Sequence, residues 1–384
     1  MARVEELSTS TSGKVVTLSR RLADAVRFRC QSRAVDLERR WGRGWCLPAL
    51  MVAVEPTSNC NLRCSMCPRW GESGWFSVEE RGAVDGQLSF VDLARLVDEL
   101  RMWRPTLYVT GGEPLLSRVL VPFCAYASRQ GLRLIVNTNG LLLENQAKDI
   151  VGAGVSQLII SIDGPERVHD EIRGVSGSWR RALAGIEAVQ SIRGRREALP
   201  RIQLNCTISS SNQGRLKEVV ELALDLRVDS LNFQHLAFID EATFTAHRRA
   251  IAGLFEDEDE HRYLESLVLA DPGVDSGRLW TELGAIAESR KEMRISVSPA
   301  LSREELDLYY DPGVPGMRDR CFYPWHATRI LSNGDVSPCL GYVVGNIREN
   351  RLSQIWNGEK YRHFRSLLVE RGLFPGCARC CHLF

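Results

Sequence analysis

From residue 51 onward, short apolar runs alternate with helical stretches, and that rhythm admits few architectures. The apolar runs fall at 51–55, 106–110, 132–137, 157–162, 201–207 and 230–235. Helical patterns occupy 88–103, 117–130, 143–152, 178–193 and 213–226 between them. Strands separated by helices predict an α/β fold with a parallel sheet and right-handed crossovers. Six such units suit an open, partial (β/α)6 barrel over residues 50–237, with reactive groups at the C-terminal ends of the strands. Residues 1–49 are expected as a helical extension, with one or two Arg-rich amphipathic helices over 14–41. Residues 238–318 read as a mostly helical insertion whose acidic run, Glu256 to Glu260, is a solvated face. Residues 319–384 form a further unit that opens on a hairpin, signalled by Asn333-Gly334 between apolar runs.

Charge and cysteine usage narrow the chemistry. Forty-nine Lys and Arg against 48 Asp and Glu leave a net charge of +1, so no global field steers the chain to nucleic acid. No run of about 18 uncharged apolar residues is present, so no membrane span is expected. Ser19-Arg20-Arg21 echoes a twin-arginine signal, but Asp24, Arg27 and Arg29 occupy the place of its apolar core. The expectation is a cytoplasmic protein. Twelve cysteines are then too many for structural thiols alone, and in a reducing compartment they point to metal or redox chemistry rather than disulfides.

Cys60, Cys64 and Cys67 stand in a C-x3-C-x2-C spacing directly after the first strand. Thiolates hold iron–sulfur clusters, and four are the norm for a [4Fe–4S] cube. Three leave one iron open to a substrate or cofactor, by the logic of an open zinc site. A zinc knuckle would pair C-x2-C with a second matching pair nearby. In its strand–loop context this stretch resembles the radical SAM superfamily. The resemblance implies that the open iron chelates the amino and carboxylate groups of S-adenosylmethionine, and that electron transfer cleaves the sulfonium to a 5'-deoxyadenosyl radical. Met66 stands where the family usually has an aromatic residue, with its backbone expected near the adenine.

Further matches follow in order. Gly111-Gly112-Glu113-Pro114, after the second strand, is similar to the family's GGEP loop, which binds the amino group. Glycines let a backbone approach a ligand, and a carboxylate accepts hydrogen bonds from an ammonium. Asn137 in Asn-Thr-Asn-Gly and Ser161 in Ser-Ile-Asp-Gly look like the family's next two strand ends, with Ser161 by the ribose or carboxylate. Arg173 resembles the arginine that pairs with the carboxylate; a plain surface arginine is the alternative.

A second constellation, Cys321, Gly334, Cys339, Cys377 and Cys380, resembles the SPASM/twitch extension of these enzymes. It implies one auxiliary [4Fe–4S] cluster on the four cysteines, with Cys381 able to replace Cys380. A zinc site on the same thiolates stays open, because tetrahedral S4 ligation suits either metal. Cys206, near the end of the fifth strand, could give a hydrogen atom to substrate, or be a small buried hydrophobe like Cys30, Cys46 and Cys124. His235 is the candidate acid/base, or else a satisfied structural histidine.

Together these imply an oxidoreductase that takes hydrogen from an unactivated carbon, which no side-chain base could deprotonate. The auxiliary cluster would accept the electron, giving a net two-electron oxidation. With only about 50 residues before the barrel, the expected substrate is a small metabolite such as an aminocyclitol or sugar. A peptide-modifying enzyme (maturase, crosslinking or epimerising) is the alternative in the same class, and a non-catalytic iron–sulfur or zinc scaffold the rival in another. The electron donor expected is of flavodoxin or ferredoxin type.

Overall fold

The computed structural model describes residues 26, 30, 34, 37, 38, 41, 43–71, 74, 87–194, 198–254, 263–287, 293–314, 316–339 and 341–380. Most of the Arg-rich stretch 14–41, the acidic run 256–260 and Cys381 lie outside the described residues.

Ten strands form one sheet: β1 (Met51–Val54), β2 (Thr106–Val109), β3 (Arg133–Thr138), β4 (Gln157–Ser161), β5 (Arg201–Ile208), β6 (Ser230–His235), β7 (Arg294–Ser298), β8 (Ala327–Ile330), β9 (Asp335–Ser337) and β10 (Gly345–Asn346). Their order is β10-β9-β8-β1-β2-β3-β4-β5-β6-β7. β1 to β7 pair in parallel, each with the next. β8 adds in parallel on the free edge of β1, and β9 and β10 turn back antiparallel.

The six expected strands are present, joined by a seventh that was not expected. β7 comes from the segment read as mostly helical, where Arg294-Ile295-Ser296-Val297-Ser298 alternates polar and apolar residues between the helices Ser276–Ala287 and Arg303–Tyr310. Five residues of alternation carry little signal against such flanks. The Asn333-Gly334 hairpin forms as expected, with Gly334 at φ +94°. Its first strand joins the barrel sheet instead of standing apart.

Period-two alternation divides the sheet into two faces. Leu107, Val109, Leu134, Val136, Leu158, Ile160, Ile202, Leu204, Leu231 and Phe233 are buried against helix residues such as Leu96, Phe123, Ile150, Ile186 and Val219. The opposite, concave face is polar at the strand ends. Register aligns Ser161, Asn205, Asn232 and Ser296 in one row across β4 to β7. The Asn232 amide donates to Asn205 Oδ1 at 2.8 Å, and the hydroxyls of Ser296 and Ser298 donate to Asn232 Oδ1 at 2.8 and 3.2 Å. No helix among the described residues is long and apolar enough to cross a membrane.

Candidate active site at the strand ends and a cysteine-lined cavity

The loop that carries Cys60, Cys64 and Cys67 leaves β1 and lies across the end of β2. Gly112 N–H donates to Thr57 O at 3.1 Å, and Glu113 N–H to Asn59 O at 2.7 Å. A Cβ on Gly111 would meet Thr57 O at 2.5 Å, and one on Gly112 would meet Asn59 O at 2.1 Å. The two glycines therefore admit the backbone of the cysteine loop itself, whose Thr57 and Asn59 carbonyls leave no room for a side chain.

Glu113 is buried, and burial pushes its carboxyl above the ordinary range despite three donors that oppose it. Those donors are the Thr138 hydroxyl at 2.7 Å, Asn139 N–H at 2.8 Å and Leu115 N–H at 3.0 Å. A carboxylate offers about four acceptor positions, so one is left for an ammonium. Glu113 thus knots the end of β2 to the Thr138–Asn139 end of β3, and Asn139 continues the knot by donating to Asn61 Oδ1 at 2.8 Å. Asn137 lies half-buried on the concave face of β3, Ser161 in the same setting on β4, and Met66 half-buried in the loop.

The three thiols pack together with Leu62, Leu141 and Val175. Burial pushes Cys60 up to about 12, and its neighbours Glu113, Cys64 and Cys67 push the same way. Burial also raises Cys64, against the pull of Arg173. Three adjacent soft donors in so dry a place become thiolates only when a cation shares their charge, and that suits an iron–sulfur cluster.

Arg173 is not a surface residue. Its Nε lies 2.6 Å from Asp163 Oδ2, and its Nη1 is 3.7 Å from Cys64 Sγ. Burial works against its charge, but Asp163 and Cys64 outweigh burial and hold it protonated. It ends the helix Glu166–Arg173, where Gly174 turns the chain at φ +71°. A Cβ on Gly174 would meet Arg63 O at 2.6 Å, so this glycine also admits the cysteine loop. The loop is held there by Ser65 N–H donating to Ile172 O at 2.9 Å and Arg63 N–H to Arg173 O at 3.3 Å. The roles of Asp163, Thr138 and Asn61 escaped the sequence reading, because partners far apart in the chain leave no local pattern.

For Cys206 and His235 the structure departs from the candidate catalytic roles and takes the buried alternative: both lie on the helix-packed side of the sheet. Cys206 shares its face with Ile202, Leu204 and Ile208, fully buried, with the Asn212 amide 3.6 Å from its sulfur. Burial drives its thiol well above the usual range. His235 pairs in register with Ile208, and its Nδ1 lies 2.8 Å from Tyr310 Oη among aromatic rings. Burial lowers it to about 4. Cys206→Ala is accordingly expected to cost about 1 kcal/mol of stability and to leave radical chemistry within about twofold. The assay is 5'-deoxyadenosine formation alongside product formation. Continued hydrogen abstraction with lost turnover would instead return Cys206 to the substrate.

Cys321, Cys339, Cys377 and Cys380 converge from three separate segments on one mostly enclosed cavity. Tyr323, Tyr342, Phe364, Phe374 and His247 complete much of its wall. Burial pushes Cys377 up to about 12, and Cys321 adds to the shift. Among the described residues no three His, Cys, Asp or Glu groups stand close enough to hold a single metal ion. All four are soft donors of the kind that hold an iron–sulfur cluster. His247, from the helix Glu241–Ile251, was not singled out in the sequence, and no motif marks it.

Comparison with known proteins agrees with this geometry. A family model described as the radical SAM superfamily matches residues 54–197, and one for an iron–sulfur cluster-binding domain, SPASM, matches 321–381. The chain is 28% identical over 330 residues to AdoMet-dependent heme synthase of Methanosarcina barkeri, covering 82% of this chain and 84% of that one. It is 24% identical over 354 residues to pre-heme d1 synthase of Dinoroseobacter shibae, covering 87% and 80%. The structure of Streptococcus suis SuiB bound to precursor peptide SuiA superposes with a TM-score of 0.60 at 13% identity, over 85% of this chain and 69% of that one. That last likeness is one of fold alone. Over residues 54–197 the chain belongs to the radical SAM superfamily and over 321–381 it carries a SPASM iron–sulfur domain, so its cofactors are S-adenosylmethionine, the [4Fe–4S] cluster that binds it and an auxiliary cluster.

Proposed function

We propose that Cys60, Cys64 and Cys67 hold the cluster that reduces S-adenosylmethionine, that Cys321, Cys339, Cys377 and Cys380 hold the auxiliary [4Fe–4S] cluster, and that the chain oxidises an unactivated C–H group. The convergence of those last four cysteines on one cavity carries this reading. When bound, the two clusters and S-adenosylmethionine supply a 5'-deoxyadenosyl radical and a one-electron acceptor for the substrate.

The chain's own residues orient the reaction. Arg173, charged and set against Cys64, receives the carboxylate. Gly111, Gly112 and Glu113 face the amino group, Met66 offers backbone to the adenine, and Asn137 and Ser161 border the ribose. The row Asn205, Asn232 and Ser296, with Thr207, Gln234 and Ser298 one step further along the strands, presents neutral amides and hydroxyls. Such groups recognise a polyhydroxylated small metabolite, an aminocyclitol or sugar. A flavodoxin- or ferredoxin-type donor in the cytoplasm provides the first electron. A second reading, radical chemistry on a heme precursor, is favoured by the relatives named as heme and pre-heme d1 synthases, which align over four-fifths of their length.

The test is iron content and S-adenosylmethionine cleavage in anaerobically reconstituted protein. About eight irons per chain are expected, with slow 5'-deoxyadenosine formation under reductant. About four irons would remove the auxiliary cluster. S-adenosylhomocysteine as the main product would remove the radical step. A zinc-loaded chain that leaves S-adenosylmethionine intact would be the scaffold instead.

A further inference from the structure

We infer that His247 donates a hydrogen bond from its Nε2–H into the auxiliary-cluster cavity and thereby sets that cluster's reduction potential. The inference rests on the reading that the four C-terminal cysteines hold a cluster. His247 is 2% exposed and lines the same cavity as all four.

Its tautomer decides what it can do there. Gly376 N–H, one residue before Cys377, donates to His247 Nδ1 at 3.2 Å. A neutral imidazole has one donor and one acceptor nitrogen, so with Nδ1 accepting, the proton sits on Nε2. Ligation through Nε2 would require that proton to move to Nδ1, against the Gly376 N–H. The ring is therefore a donor to the site and not a fifth ligand.

The surroundings hold it in that role. Gly376 has no side chain, and a Cβ there would come within 3.0 Å of both His247 Nδ1 and Leu264 Cδ1. Phe374 meets the ring edge to face, with centroids 6.0 Å apart at 83°. Tyr342 Oη, also on the wall, lies 3.5 Å from Nε2, at the long limit of a hydrogen bond, so the hydroxyl and the cavity share the Nε2 proton. The rest of the wall is largely apolar, so an N–H on it acts in a low dielectric and carries more weight than it would in water.

Hydrogen bonds to cluster sulfurs favour the reduced, more negative state and raise the potential. A raised potential suits a cluster that accepts an electron from a substrate radical. His247 thus couples the segment between barrel and SPASM domain to the electron-accepting step, as a positioning residue that touches neither substrate nor S-adenosylmethionine.

The experiment uses the full chain with Cys60, Cys64 and Cys67 replaced by Ala, so that only the auxiliary cluster reports, and an EPR-monitored redox titration. His247→Phe should retain about four irons and shift the midpoint to lower potential. His247→Gln, whose carboxamide restores an N–H near the Nε2 position, should return it toward the parent value. Gly376→Ala, which displaces the ring without removing it, should also lower the potential and serves where His247→Phe does not fold. An unchanged midpoint in fully loaded His247→Phe or Gly376→Ala overturns the inference. Loss of iron from both His247 variants also overturns it, by making the histidine a ligand. A parent chain without iron takes down the four-cysteine reading itself, and this inference with it.

Discussion

Glu55→Gln is expected to lose roughly 3–5 kcal/mol of folding stability, read as a lower denaturant midpoint of the cofactor-free chain. Glu55 directly follows β1 and is 1% exposed. Arg69 grips its carboxylate with two donors, at 2.7 and 2.8 Å, and Arg329 adds a third at 2.8 Å. Burial pushes the Glu55 carboxyl up, and the two guanidiniums outweigh burial and hold it below its usual range. The amide would keep some hydrogen bonds and lose the charge, leaving two guanidiniums facing each other in a dry interior. Because the folded-state value is depressed, this stabilisation is full above the unfolded carboxyl's pKa of about 4.3 and is lost as pH falls through the folded value. Arg69 lies two residues past Cys67, and Arg329 lies on β8, whose hairpin leads to Cys339. One carboxylate thereby ties the first cysteine loop to the strand that lies between Cys321 and Cys339. Iron loading should fall at both sites in the variant. Replacing all three residues by apolar ones of similar volume should recover much of the stability, since a buried ion network costs desolvation as well as giving attraction. An unchanged midpoint in Glu55→Gln would refute the account.

The sequence carried the barrel because one face of every strand must pack on helices, and that requirement writes itself as Leu107-x-Val109 or Leu134-x-Val136. It carried the cofactor loops because their residues are contiguous and sit at strand ends. Long-range pairing was not legible. Nothing near Ala327–Ile330 says that this strand will dock beside Met51–Val54, and nothing near His247 says that Gly376 will hold its ring. Between the two readings of Cys206, strand parity decides. In Arg201–Ile208 it has the parity of Ile202, Leu204 and Ile208, and a strand sends that parity to one side. His235 has the parity of Leu231 and Phe233 in the same way. Proximity to a strand end makes a residue a candidate, and parity decides which side chains reach the concave face.

Arg173→Met is expected to fail in two separable ways: at least a tenfold loss of S-adenosylmethionine affinity, about 1.4 kcal/mol, and a stability loss of roughly 3–5 kcal/mol. The second arises because Asp163, fully buried, would lose the guanidinium 2.6 Å away. Its other oxygen accepts from Thr207 N–H at 3.0 Å. Asp163→Asn in the same chain removes the stranded charge and can still accept from Thr207 through its amide oxygen. The double variant should therefore regain most of the stability and none of the affinity. Equilibrium dialysis with S-adenosylmethionine on the cluster-loaded protein, set beside denaturation of the cofactor-free chain, reads the two effects independently. Recovery of both would make Arg173 no more than the counter-charge of Asp163, and its 3.7 Å approach to Cys64 a matter of packing. Recovery of stability alone would leave the guanidinium one task beyond the fold, which is to meet a carboxylate at the first cysteine loop.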